Sequence, residues 1–229
     1  MREIVVDTET TGLDPEDGHR IIEIGCVELF NHLPTGATFH TYLNPERDMP
    51  VDAFRVHNLS SEFLSDKPLF SAMAEEFQAF IGTAPLIIHN AQFDIKFLNA
   101  ELKRVQGAML EMERAVDTLM IARRRYPGAG ASLDSLCKRF GIDLTARARD
   151  GHGALIDAGL LAQVYLELVG GREPVLVFAA NAANDEGRQR APLPPRPIPL
   201  APRVTEEEMA AHLAFLHTLP GSAVWLKEV

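Results

Sequence analysis

The sequence predicts an α/β fold: a mixed β-sheet covered by helices. Three observations carry this. Three β-branched, partly alternating runs with short joins fill the first 43 residues, as in an antiparallel meander. Beyond Pro68 the apolar spacing becomes helical, and helical and strand-like runs then alternate. The 46% hydrophobic content of the 229 residues is enough for a substantial core. Strands first, then alternating helix and strand, imply strands of both senses in one sheet.

Residues 2–8 read as a buried strand, with Ile4, Val5 and Val6 leading into Asp7-Thr8-Glu9-Thr10-Thr11-Gly12. Residues 20–30 are a second strand and 37–43 a third, which Asn44-Pro45 ends. Leu69, Met73, Phe77, Phe80 and Ile81 then sit at helical spacing behind Pro68, and Gly82 ends that helix. Residues 85–89 form a fourth strand that opens into Asn90-Ala91-Gln92-Phe93-Asp94. The helix after it carries Phe97, Leu98 and Leu102 on one face. Residues 114–118 make a short fifth strand, followed by helices at 118–125 and 132–140. The last strong helix, 154–169, carries Leu155, Ile156, Leu160, Leu161, Val164 and Leu168.

After Gly170-Gly171 the composition shifts. Residues 179–203 are rich in Ala, Asn, Arg and Pro and have no periodicity, as in an extended linker. Residues 205–218 regain helical character, with Thr205 and Glu208 placed as a capping box and Met209, Leu213 and Leu216 at helical spacing. Trp225 follows in the final segment. An apolar helix beyond a linker has nothing of its own to pack on, so a docking role is expected.

Composition excludes several classes. No run of about 18 apolar residues exists, so no membrane span is expected, and no signal peptide is visible. Cys26 and Cys137 form no CxxC pair, so neither a disulfide framework nor a cysteine zinc site is expected. The cytoplasm is the default location. The net charge is −10, and residues 1–99 hold 16 acids against 6 bases. Binding duplex DNA by charge alone needs a basic protein. A nucleic-acid substrate would here need metal to supply positive charge.

Side chains alternate along a strand, so Asp7 and Glu9 share one face while Val6 and Thr8 take the other. With no base between them, one of the two acids binds a proton or both bind a cation, and hard oxygen ligands suit Mg²⁺ or Mn²⁺. Two solvated acids at a strand end are the plain alternative. Asp94 opens one helix and Asp157 another, where the helix dipole alone would account for each. His152, between Gly151 and Gly153, is by itself an ordinary loop histidine. Asp117 and Asp134 read as caps, and Arg123-Arg124-Arg125 as a solvated helix face or a strand-binding patch.

Together, Asp7-Thr8-Glu9-Thr10-Thr11-Gly12, His89-Asn90-Ala91-Gln92-Phe93-Asp94 and His152-Gly153-Ala154-Leu155-Ile156-Asp157 resemble the three exonuclease motifs of the DEDDh family. Order and spacing agree over residues 1–170. The resemblance implies a ribonuclease H-like mixed five-stranded sheet flanked by helices. It implies that Asp7, Glu9, Asp94 and Asp157 hold two divalent ions, Mg²⁺ or Mn²⁺, and that His152 is the general base. A histidine with an ordinary pKa of about 6.5 is mostly neutral at pH 7 and can accept a proton from water. Thr8, Thr10, Gly12, Leu13 and Asn90 lie where the terminal nucleotide would be contacted. Val56-His57-Asn58-Leu59 resembles the segment that family members place beside the substrate 3′ end, and for His57 a DNA contact and a helix-cap role both stand.

Thr205 to His212 and Gly221 to Trp225 resemble the C-terminal segment of the family's proofreading branch, which binds the catalytic (alpha) subunit of bacterial DNA polymerase III. That resemblance makes Met209, Leu213 and Trp225 partner-binding residues. Leu176 and Phe178, in Glu173-Pro174-Val175-Leu176-Val177-Phe178, fall where that branch carries a sliding-clamp peptide, although Glu173 stands where Gln is usual. The expected organisation is an exonuclease domain at 1–172, a clamp peptide and Pro-rich linker at 173–203, and a docking segment at 204–229. The expected activity is 3′→5′ removal of mispaired DNA ends within the cytoplasmic replisome. A free-standing nuclease acting on RNA ends or oligonucleotides, and a structural adaptor bracing the polymerase, are the alternatives.

Overall fold

Ile4, Val5 and Val6 have no exposed surface because their strand runs through the centre of a five-stranded sheet. The computed structural model describes residues 1–170 and 204–218, the side chains of Ala146, Ala148 and Asp150 excepted. These fall into two units, within residues 1–176 and 177–229, each considered by itself.

The first unit runs β1 (Arg2–Thr10), β2 (Ile21–Phe30), β3 (Leu33–Tyr42), α1 (Val51–His57), α2 (Ser61–Leu64), α3 (Phe70–Ile81) and β4 (Leu86–Ile88). It continues with α4 (Ala91–Arg104), β5 (Ala115–Asp117), α5 (Thr118–Arg125), α6 (Leu133–Phe140), α7 (Thr145–Asp150) and α8 (Ala154–Val169). The strand order is β3-β2-β1-β4-β5. The meander β1-β2-β3 is antiparallel, and β4 and β5 add in parallel beside β1. The expected mixed sheet is therefore present.

The alternation along β1 builds two cores. Ile4 and Val6 pack with Phe77, Phe97 and Leu98 of α3 and α4. Val5 packs on the opposite face with Leu160, Leu161 and Val164 of α8. Burying one such side chain contributes roughly 1.5–3 kcal/mol, so both helical layers are held firmly to the sheet.

Three segments depart from the sequence expectation. β3 starts at Leu33 rather than residue 37, because Asn31 and His32, at φ of 51° and 67°, make a tight hairpin turn and Phe30 pairs with Leu33 at once. The region between Asn44 and Pro68 holds α1 and α2, which are too short to show apolar periodicity. α7 also went unforeseen, since its Thr-Ala-Arg-Ala-Arg-Asp run has no apolar stripe.

In the second unit, α9 (Glu206–Thr218) begins with the foreseen capping box. Thr205 Oγ1 accepts from the Glu208 N–H at 3.2 Å, and Glu208 Oε2 accepts from the Thr205 N–H at 2.8 Å. The expected linker, Leu176, Phe178 and Trp225 lie outside the described residues.

Candidate active site

Asp7 and Glu9 leave β1 on the Val5 side and are half-buried. Directly opposite Asp7 in the ladder is Gly25 of β2. A Cβ at Gly25 would lie 2.3 Å from the backbone of Ala154 and Leu155. The missing side chain is thus filled by the first turn of α8, which carries Asp157 to the acids of β1. Glu9, His152 and Asp157 each present a ligand atom within 4.8 Å of the other two. The ladder shifts register between Glu9 and Thr10, the kind of irregularity that re-aims side chains beside sites.

Asp94 arrives from the other layer. It sits in the first turn of α4, which turns away from β4 through Asn90 in a left-handed conformation (φ 71°). The Asn90 N–H donates to Asp117 Oδ1 at 3.2 Å, and Asp117 also caps α5 as expected. Thr8, pointing away from Asp7 and Glu9, donates its hydroxyl to Asp94 Oδ1 at 2.7 Å. The middle residue of the Asp-Thr-Glu triplet therefore holds the fourth carboxylate in place.

The electrostatics express crowding. Burial, then Asp94, Glu9 and Asp157 in that order, push Asp7 well above the usual carboxylate range. Burial first, then Asp157 and Glu23, raise Glu9 to about 8, with Arg147 opposing. Burial raises Asp94 to about 7 against the hydrogen bond from Thr8. Asp157 is also raised, chiefly by burial, against Arg147 and His152. Asp157 Oδ1 is buried and has no partner. Crowding and burial thus push all four carboxylates toward the protonated form, and a bound cation opposes this. An oxygen-rich set with one imidazole in reach fits hard divalent ions.

Around this cluster lie groups not singled out beforehand. Glu23, facing Glu9 across the ladder, is buried and lies 2.7 Å from His40 Nε2. Arg147 bonds Asp134, His152 and Asp157 together. Asp134 thus serves as an anchor for Arg147, while Ser132 is the cap of α6. Gly25 in the middle of a strand was the one available signal for the close approach of α8.

Thr8, Glu9, Thr10, Gly12, Leu13 and His57 line a common cleft of about 620 Å³ whose rim includes Val56 and Phe93. Asn90 is not part of that lining. Leu13 is 85% exposed at the cleft edge. Thr10 Oγ1 donates to the Gly12 carbonyl at 2.6 Å, closing the turn after β1. His57 is buried at the end of α1, its Nδ1 accepting from the Leu59 N–H at 3.0 Å. Its Nε2 is buried without a protein partner. The local cap and the open nitrogen coexist in one side chain.

An acid cluster on the central strand of such a mixed sheet, beside an open cleft, defines a nuclease of the exonuclease class, and residues 4–165 match the family described as Exonuclease (RNase_T). DNA polymerase III subunit epsilon of Rickettsia felis is 49% identical over 96% of this chain and 97% of its own length. The subunit of the same name from Escherichia coli K12 is 42% identical over 98% and 97%. The fold also resembles the nuclease domain of 3′hExo, a DEDDh family member bound to rAMP. The TM-score is 0.62 at 19% identity, over 73% of this chain and 91% of that one. The chain belongs to the exonuclease family, in the branch of the DNA polymerase III epsilon subunits.

Proposed function

We propose that the chain removes mispaired 3′-terminal nucleotides from DNA in the 3′→5′ direction, as the proofreading partner of a replicative polymerase. The observation that supports this is the convergence of ligand atoms from Glu9, His152 and Asp157 beside an open cleft, with Asp7 close enough to feel the charges of Glu9, Asp94 and Asp157. Asp7, Glu9, Asp94 and Asp157 are the residues that would hold two divalent ions. When bound, such ions supply Lewis acidity and counter-charge at a scissile phosphate. Thr8 keeps Asp94 aimed at that position. His152 takes the proton of the attacking water. The oxygen joins phosphorus, the bond to the 3′ oxygen breaks, that oxygen takes a proton from solvent to become the new 3′-hydroxyl end, and a nucleoside 5′-monophosphate leaves. The cleft between Leu13 and His57 receives the terminal nucleoside, with Leu13 and Val56 offering apolar contact to the base.

In the proposed organisation, residues 1–172 are the nuclease, 173–203 a tether with a clamp peptide, and 204–229 the segment that binds the polymerase alpha subunit. Met209 and Leu213 of α9 are 48% and 44% exposed, as an apolar docking face requires. Delivery by a polymerase also fits the net charge of −10.

The test is a Mg²⁺-dependent digestion of 3′- and 5′-labelled primers, single-stranded, paired or mispaired, with Asp7→Ala as control. Faster loss of mispaired than paired 3′ ends is expected. A preference for RNA ends, or no activity with all four acids present, overturns the assignment. Gel filtration of residues 1–172 and 1–229 with the alpha subunit tests the tail. Only the longer chain is expected to co-elute.

A further inference from the structure

The Arg147 side chain is 11% exposed, and its guanidinium is held by three partners. One terminal nitrogen donates to the Asp134 carboxylate. The other lies 2.9 Å from Asp157 Oδ2 and 2.6 Å from His152 Nδ1. A guanidinium carries donors only, so Nδ1 is the acceptor in that contact and the proton of a neutral His152 sits on Nε2. The Nδ1 lone pair is engaged. The same guanidinium meets one oxygen of Asp157 while the other, Oδ1, has no partner. It stands beside the group of Glu9, His152 and Asp157 whose ligand atoms converge.

We propose that Arg147 is the resting occupant of the cation position at Asp157: its guanidinium neutralises that carboxylate before a divalent ion arrives and holds His152 until the ion displaces it. Guanidinium and ion compete for Asp157 Oδ2, so ion uptake and release of the imidazole are one exchange. Asp134, with a half-exposed side chain, is the anchor on which the displaced group remains. Arg147 is thus a positioning residue, acting on the reaction through Asp157 and His152. Its pull on Asp157 and Glu9, opposing the effect of burial on both, agrees with this role.

The inference rests on the reading that Asp157 binds metal, and the test separates the two. Mn²⁺ binding is measured by calorimetry on the full chain for the unmutated protein, Arg147→Met and Asp134→Asn. Met keeps the apolar stem and removes the charge. Asn at 134 loosens the anchor at a half-exposed site that tolerates change. Arg147→Met is expected to lower the Mn²⁺ dissociation constant at least threefold, and Asp134→Asn, which removes the anchor of the displaced group, to raise it. The metal-free melting midpoint of Arg147→Met is expected to drop, with the gap narrowing at saturating Mn²⁺. In ¹⁵N NMR spectra the His152 Nδ1 resonance should differ between Arg147→Met and the unmutated chain without metal, and coincide once Mg²⁺ is bound. Unchanged or weaker Mn²⁺ binding in Arg147→Met overturns the proposal alone. Absence of Mn²⁺ binding in the unmutated chain overturns the metal reading beneath it.

Discussion

Gly25 lies opposite Asp7 in the β1–β2 ladder, and the backbone of Ala154 occupies the space its side chain would take. A glycine without a positive φ is thereby essential for packing. Gly25→Ala must push α8 away from the sheet, taking Asp157 with it. Overpacking of this kind costs about 1–3 kcal/mol. The expected outcome is a lower melting midpoint and at least a tenfold loss of turnover, read by calorimetry and by a labelled-primer assay. Full activity in Gly25→Ala would show that α8 can reseat without moving Asp157.

Thr8→Val removes the hydroxyl that Asp94 accepts and leaves the shape nearly unchanged. Hydrogen bonds to a charged group are worth roughly 1.5–3 kcal/mol, so turnover should fall about tenfold or more. The bond with Thr8 lowers the pKa of Asp94, so its loss raises that pKa further. The acidic limb of the pH–rate profile should therefore move to higher pH. Thr8→Ser, which restores the hydroxyl, should recover most of the activity.

His152→Ala and Asp7→Ala should separate base from ligand. Loss of a general base costs about 10²–10⁴ in rate. His152→Ala is expected to lose that much and still bind Mn²⁺ through the carboxylates. Asp7→Ala, at the centre of the charge coupling, should lose both activity and metal. If His152→Ala also abolishes Mn²⁺ binding, His152 is a ligand, a role its distance from Glu9 and Asp157 permits.

Stability without metal should fall as pH rises. The folded state keeps the Glu9 proton up to about 8, whereas the unfolded chain releases it near 4.5. Asp94 behaves alike between 3.8 and about 7. Across this window the native state binds more protons, and stability declines with pH. One pKa unit is about 1.4 kcal/mol, and 1 kcal/mol shifts a midpoint by about 2–4 °C at this chain length. A drop above about 4 °C between pH values of about 5 and 8 is expected by scanning calorimetry. Saturating Mg²⁺ should remove most of it and release protons on binding.

Legibility in the sequence followed the range of each interaction. Strand alternation places Asp7 and Glu9 together without any tertiary knowledge. Long apolar runs likewise announce α3, α4 and α8. Asp94, His152 and Asp157 are ordinary one by one and become a site only as spaced motifs. Thr8 was legible as facing away from the acids, but its bond to Asp94 depends on where α4 starts, which no local pattern states. Arg147 escaped because a long side chain on a short helix without an apolar stripe leaves no period to read. α1 escaped for the same reason, and with it the burial of His57.

The docking of α8 on β1 has a consequence for synthesis. Asp7 and Glu9, in β1, are synthesised long before His152 and Asp157, which come just before and within the last helix of the first unit. A nascent chain ending anywhere before α8 exposes the Val5 face of the sheet and lacks one of the four carboxylates. On the proposed assignment of the four acids, such a chain is unable to cut the nucleic acids around it. Competence to degrade is acquired in one late step, when α8 closes over β1 and β2.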